Sequence, residues 1–272
     1  MNRFFQQYIT IVICFSFFLI ACESPNAKIK TSEEDTEEPM NGNSTATELA
    51  QDTVIEGSAY QLVSLANNLA YQNYSLELVS NHTENLKEGI QLLQLKVVDE
   101  NSRPLERSED LKVGLLINNE FQGIKSLDDL NFEVNLLYGN NVVFAYIIDE
   151  LENSIKSPSA AVLKNFYIGS EEGSFDENSA HLFYIKPVKE NLTKTTEDLQ
   201  LDFYLFNAPL GDSEYMVKFS IDSEVFYIDS WQGYLIKGLS KGKHHLRVQL
   251  IDKKGNVVLG PFNDSALRTI EF

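Results

Sequence analysis

The chain has 272 residues, of which 22 are Lys or Arg and 40 are Asp or Glu, giving a formal charge of −18. A polymer of that sign repels nucleic acid and anionic membrane faces, which excludes both as partners recognised by charge. Hydrophobic residues make up 43%, enough for packed cores, while the two cysteines, Cys14 and Cys22, both lie near the start and offer no disulfide framework.

One positive charge, Arg3, precedes an apolar run from Ile9 to Ile20 that stops at Ala21-Cys22. A helix of that length rises about 18 Å, well short of the roughly 30 Å hydrocarbon core of a bilayer. Charged start, short apolar centre and small-residue exit have the order of a secretory signal peptide over residues 1–21. Leu19-Ile20-Ala21-Cys22 resembles the lipobox of bacterial lipoproteins. That resemblance implies that Cys22 is acylated, becomes the first residue of the mature protein and holds it on the outer membrane through its lipid. No cysteine pair, C-x-x-C or thiolate zinc site would then remain.

Residues 22–58 read as a tether: between Glu23 and Gly57 there are nine acids, two lysines and no aromatic residue. Such a segment cannot bury enough apolar surface to offset chain entropy and is expected to be disordered, spanning roughly 30 to 35 Å. Its block Glu33-Glu34-Asp35-Thr36-Glu37-Glu38 loosely resembles the acidic stretch that directs some Bacteroidota lipoproteins to the cell surface. A solvated charge run is the ordinary alternative.

Beyond the tether, Tyr60 to Tyr71 alone has some helical character, and the remainder reads as a duplication. Leu93, Leu95 and Val97 correspond to Leu199, Leu201 and Phe203; Leu111, Val113, Leu115 and Ile117 correspond to Tyr215, Val217, Phe219 and Ile221. Spacing of two is the period of a half-buried strand. The turn beginning at Ile117 (INNE) matches the one at Ile221 (IDSE), and Gly139 to Pro158 runs without a gap against Gly242 to Pro261. Each copy contains roughly seven short strands separated by turns, near 74–79, 91–98, 110–118, 120–125, 131–137, 142–149 and 160–168, and again near 181–187, 198–206, 214–222, 224–229, 234–239, 244–252 and 257–271. The expected fold class is therefore all-β: two tandem immunoglobulin-like or fibronectin-type β-sandwich domains, at 59–170 and 180–272, joined by a short acidic linker at 171–179 that would permit hinging.

The stretch Asp229 to Asn263 resembles a strand-turn-strand pattern of Bacteroidota exported proteins, with its Trp231, the Gly238-Leu239 turn, Gly242-Lys243-His244, and the Gly260-Pro261-Phe262-Asn263 exit. This resemblance implies tandem Ig-like modules and an exported location. It implies no catalytic residue.

Candidate chemistry is sparse. His244 and His245 are adjacent on an expected strand and so point to opposite faces, which fits a structural role better than shared ligation. No nucleophile elbow, H-E-x-x-H or phosphate loop occurs, and carboxylates are too numerous for any pair to be singled out. Asp99-Glu100-Asn101 and Asp176-Glu177-Asn178 offer oxygen ligands of the kind calcium uses, without a known loop spacing. Asp52-Thr53-Val54 and Asp264-Ser265-Ala266 fit a short O-glycosylation pattern of Bacteroidota. Trp231 and Tyr234, flanking a glycine, are the candidate ligand-contact surface, since exposed aromatics of this kind stack on sugars or peptides. The alternative is that Trp231 packs over the end of the sandwich core.

Together these readings describe a non-enzymatic lipoprotein of the cell envelope, without cofactor, metal or nucleic acid, that binds a protein or glycan. A structural or accessory subunit of an envelope complex is the alternative.

Overall fold

The computed structural model describes residues 53–67, 71–79, 87–105, 110–169, 175–188, 199–211 and 214–271. Cys22 and nearly all of the tether lie outside them. The described residues are built from β-strands, and the pairings among the named strands are antiparallel.

The first sandwich packs a sheet of β3 (Ser75–Leu78), β4 (Gly89–Val98) and β7 (Asn131–Leu136) on a sheet ordered β6 (Glu120–Ser126), β5 (Lys112–Ile117), β8 (Gly139–Ile148), β9 (Ala161–Ile168). In the second, β10 (His181–Lys186), β11 (Leu199–Phe206) and β14 (Tyr234–Lys237) face a sheet ordered β13 (Glu224–Ile228), β12 (Tyr215–Ile221), β15 (Lys243–Asp252), β16 (Arg268–Glu271). The same strand order occurs twice, as a duplicated fibronectin-type sandwich requires.

The alternation that marks each strand supplies the cores. Leu93, Leu95, Val113, Leu115, Phe132, Val143 and Ile147 fill the first sandwich; Leu201, Phe203, Val217, Phe219, Ile236, Leu246 and Val248 fill the second. Asn118 and Asn119 both have positive φ and close the β5–β6 hairpin, a conformation that Asn tolerates because its short polar side chain bonds locally.

Two expectations fail. The sequence pattern places residues 54–56 in the tether and 61–64 in the first sandwich or a helical turn, yet both pair into the second sandwich. β1 (Val54–Glu56) pairs with β2 (Gln61–Ser64), and β2 pairs with β14 in the register Ile236↔Leu62. The strap they form brings Leu62, fully buried, into the second core. Its bend closes against Gly238, where φ is +89° and a Cβ would lie 2.3 Å from the Ala59 carbonyl oxygen. The chain therefore enters the second sandwich, crosses to the first and returns.

Nor are the sandwiches separated by a free hinge. Val142, Phe144, Tyr146 and Ile148, on the outer face of β8, pack with Phe183, Ile185 and Tyr204 from β10 and β11 in a third core. Phe144 stacks on Phe183 with ring centroids 4.5 Å apart and meets Tyr204 at 5.2 Å. Strands β8 and β10 are thus apolar on both faces, for the same reason that central strands of covered sheets are.

Candidate functional site

Trp231 and Tyr234 do not form an exposed aromatic pair. Tyr234 is 1% exposed within the second core, and its hydroxyl donates to the Ser230 carbonyl at 2.9 Å. Half-buried Trp231 meets Tyr204 edge-on at 5.0 Å and touches both the second and the junction core. Packing accounts for both rings, while the Trp231 Nε1 is buried with no acceptor among the described residues.

The acidic clusters are turn caps. Asp99 Oδ1 accepts from the backbone N–H groups of Asn101 and Arg103, and its other oxygen takes the Arg103 side chain. Asp149 and Asp252 repeat this pattern at Leu151 and Asn153 and at Lys254 and Asn256. Asp176 caps Asn178 and Ser179, and Glu177 accepts the Asn165 N–H. Among the described residues no group of His, Cys, Asp or Glu could hold a metal ion. Ser265 is buried and bonded to the Val248 N–H, out of reach of a modifying enzyme.

His245 faces outward toward Thr269, while His244 is buried beneath the strap. His244 Nδ1 contacts Asp222 Oδ2 at 2.8 Å and Nε2 contacts the Ser240 carbonyl at 2.8 Å. Both partners are acceptors, an arrangement fully satisfied only by the protonated ring. Burial pushes its pKa down, but the Ser240 carbonyl and the Asp222 carboxylate outweigh it and the net shift is upward. Tyr60, on the strap, donates to the same Asp222 oxygen at 2.5 Å. Glu224 accepts the Ser58 and Ala59 N–H groups, completing a clasp that the sequence alone did not disclose.

The junction carries a second cluster. Lys156, in the loop after β8, contacts Asp202 Oδ1, and each side chain is 1% exposed. Ser154 donates to Asp202 from its N–H at 3.1 Å and its hydroxyl at 2.9 Å. Lys156 Nζ also reaches Ser154 Oγ at 2.7 Å and the Phe203 carbonyl. Burial drives the Lys156 pKa down, with Asp202 opposing it. Nearby, Lys186 donates to the Glu152 carbonyl and to Gln200 Oε1, Gln200 donates to Asn153, and the Tyr204 hydroxyl donates to the Ser157 carbonyl. Strand β11 of the second sandwich thereby grips the loop 152–157 of the first, leaving these groups committed to one another rather than to a substrate.

Clefts flank the junction. One, of about 560 Å³, lies by Phe175, His181 and Phe262. Another, of about 420 Å³, lies between the β5–β6 turn and the ends of β10 and β16. Arg268 in this second cleft lies over the Tyr184 ring at 4.2 Å.

No protein-family model and no curated protein matches the sequence. Among solved structures, the chain is similar to fibronectin(III)-like modules of Clostridium thermocellum CbhA, at 12% identity over 71% of this chain and 90% of that one, with a TM-score of 0.23. It is also similar to Bacteroides ovatus SGBP-B of a mixed-linkage glucan utilization locus, in complex with a mixed-linkage heptasaccharide, at 11% identity over 72% and 70% with a TM-score of 0.23. Similarity to Parabacteroides merdae β-glucuronidase, at 11% identity and a TM-score of 0.25, covers 73% of this chain but 24% of the enzyme. The fold assignment rests on the strand pairing described above, and no activity is carried over from these structures.

Proposed function

We propose that this protein is a lipid-anchored, non-catalytic binding or adhesion module of the bacterial cell envelope, presenting two fused sandwiches to a protein or glycan partner. The observation that carries this reading is the junction. Sandwich surfaces that would otherwise be free are locked by a shared aromatic core and a buried ion pair, and the clefts lie beside it. A stiff platform with shallow clefts suits recognition, because little ordering entropy opposes binding. The clusters around Asp222 and Asp202 are committed to structural hydrogen bonds, which supports a non-catalytic role for them. Cys22 supplies the anchor through the lipobox it completes, and the strap makes the second sandwich the part that meets the tether.

Exposed Ile124 on edge strand β6, with Val225 and Tyr227 on edge strand β13, favours the second reading, a subunit docked in an envelope complex. Photo-crosslinking of the full chain in intact cells, from positions around the two clefts and along β6 and β13, separates these. Adducts at the clefts support a binding module. Adducts confined to the strand edges, in one fixed stoichiometry, would replace it with the subunit reading.

A further inference from the structure

The cleft between two edges of the second sandwich has the chemistry of a carboxylate receptor. Among the described residues β10 bonds only to β11 and β16 only to β15, which leaves the facing sides of both strands without a described sheet partner. Arg268 stands on β16 at this edge. Of the three arginines among the described residues, Arg103 pairs with Asp99 and Arg247 with Asp264, whereas Arg268 contacts the Tyr184 ring and its Nε has no acceptor. That is notable in a chain with 40 acids. A guanidinium lying on an aromatic face keeps its N–H groups at its rim; with the Nε of Arg268 buried and unsatisfied, a carboxylate bound in a two-point fork would meet an otherwise unpaired donor. Across the same cleft, Asn119 Oδ1 is buried and has no donor among the described residues. The site thus asks for an anionic acceptor at Arg268 and an N–H or O–H donor at Asn119 and Glu120 on one ligand, beside apolar contacts from Phe121, Pro187 and Val188.

We propose that this cleft binds the free C-terminal end of an extended peptide whose last side chain is apolar. Arg268 takes the terminal carboxylate, Asn119 Oδ1 accepts a backbone N–H, and the edge of β16 pairs with the peptide backbone, as in strand addition. A single terminal charge suits one arginine, while the formal charge of −18 repels a polyanionic glycan. Phe121, Pro187 and Val188 give the last side chain of a peptide apolar contact. This inference rests on the binding-module reading and narrows its partner to a protein.

The test uses the full chain and a set of synthetic heptapeptides ending in Val, Leu, Ile or Phe, each made as free acid and as C-terminal amide, with oligogalacturonate as the glycan arm. Free acids are expected to bind roughly ten- to a hundredfold more tightly than their amides, the size of a charge-assisted hydrogen bond. Arg268→Gln should remove that discrimination, and Arg268→Lys should restore only part of it, with thermal midpoints near the parent value showing that both variants fold. Equal binding of acids and amides, no binding of any peptide, or binding of oligogalacturonate alone would overturn the proposal. In each of those cases crosslinks at the other cleft would leave the binding-module reading standing.

Discussion

Lys156 and Asp202, 46 residues apart and on different sandwiches, form an ion pair from which water is almost wholly excluded, each side chain being 1% exposed. Burying two charges is costly unless each is matched in charge and in hydrogen bonds, and here Ser154 and the Phe203 carbonyl complete the set. Removing one partner strands the other. Lys156→Met is expected to cost about 3 to 5 kcal/mol, and Lys156→Met with Asp202→Leu to recover much of that loss. Urea denaturation of the single and double variants measures both.

The strap is a part of the second sandwich rather than a leader to the first. Leu62→Ala should cost about 2 to 5 kcal/mol and raise hydrogen exchange along β14, its pairing partner. Exchange that rises in β3 or β4 instead would contradict the assignment.

Strap docking should depend on pH. His244 has a raised folded pKa, so its contribution is complete below the unfolded value near 6.5 and is lost as pH rises through the folded value. For Asp222 burial acts upward, but bonds from Tyr60, His245 and His244 outweigh it and bring the carboxyl down to about 2. Its contribution is present above the unfolded value near 3.9 and is lost as pH falls toward 2. The clasp is therefore tightest between these limits. Hydrogen exchange of residues 54–64 should rise as pH is taken above the His244 range, beyond the intrinsic rate, and His244→Gln should flatten that rise.

Trp231 is the chain's single tryptophan and lies at the junction, so its fluorescence reports the contact between sandwiches. Phe144→Ala, which deletes the centre of the aromatic stack, is expected to shift Trp231 emission to the red and raise acrylamide quenching before global unfolding. An unchanged spectrum would mean that the junction does not depend on that ring.

Much of the fold was legible because it is local. Alternating apolar positions in Leu93–Val97 and Val113–Ile117, and the Asn118-Asn119 turn, specify hairpins whose partners lie close in sequence. The strap was not legible, since Leu62 pairs with Ile236 and nothing in a short segment announces so distant a partner. The junction did leave a trace. Val142 to Ile148 is apolar without interruption, the mark of a strand covered on both faces, and reading only its inward set missed the outer one. Lys156 and Asp202 gave no signal, because buried charges look the same as the many exposed ones in an acidic chain. Tyr234 alternates with Ile236 and so points into the second core, and the strap beside β14 makes an interior strand of what a short window of sequence presents as an edge.

Differential scanning calorimetry of the full chain tests most directly whether strap and sandwiches form one unit. A single cooperative transition is expected, lowered as a whole by Lys156→Met or by Leu62→Ala. Two separable transitions, with each variant moving one and sparing the other, would show independent domains and contradict the fused junction on which the proposed binding platform depends.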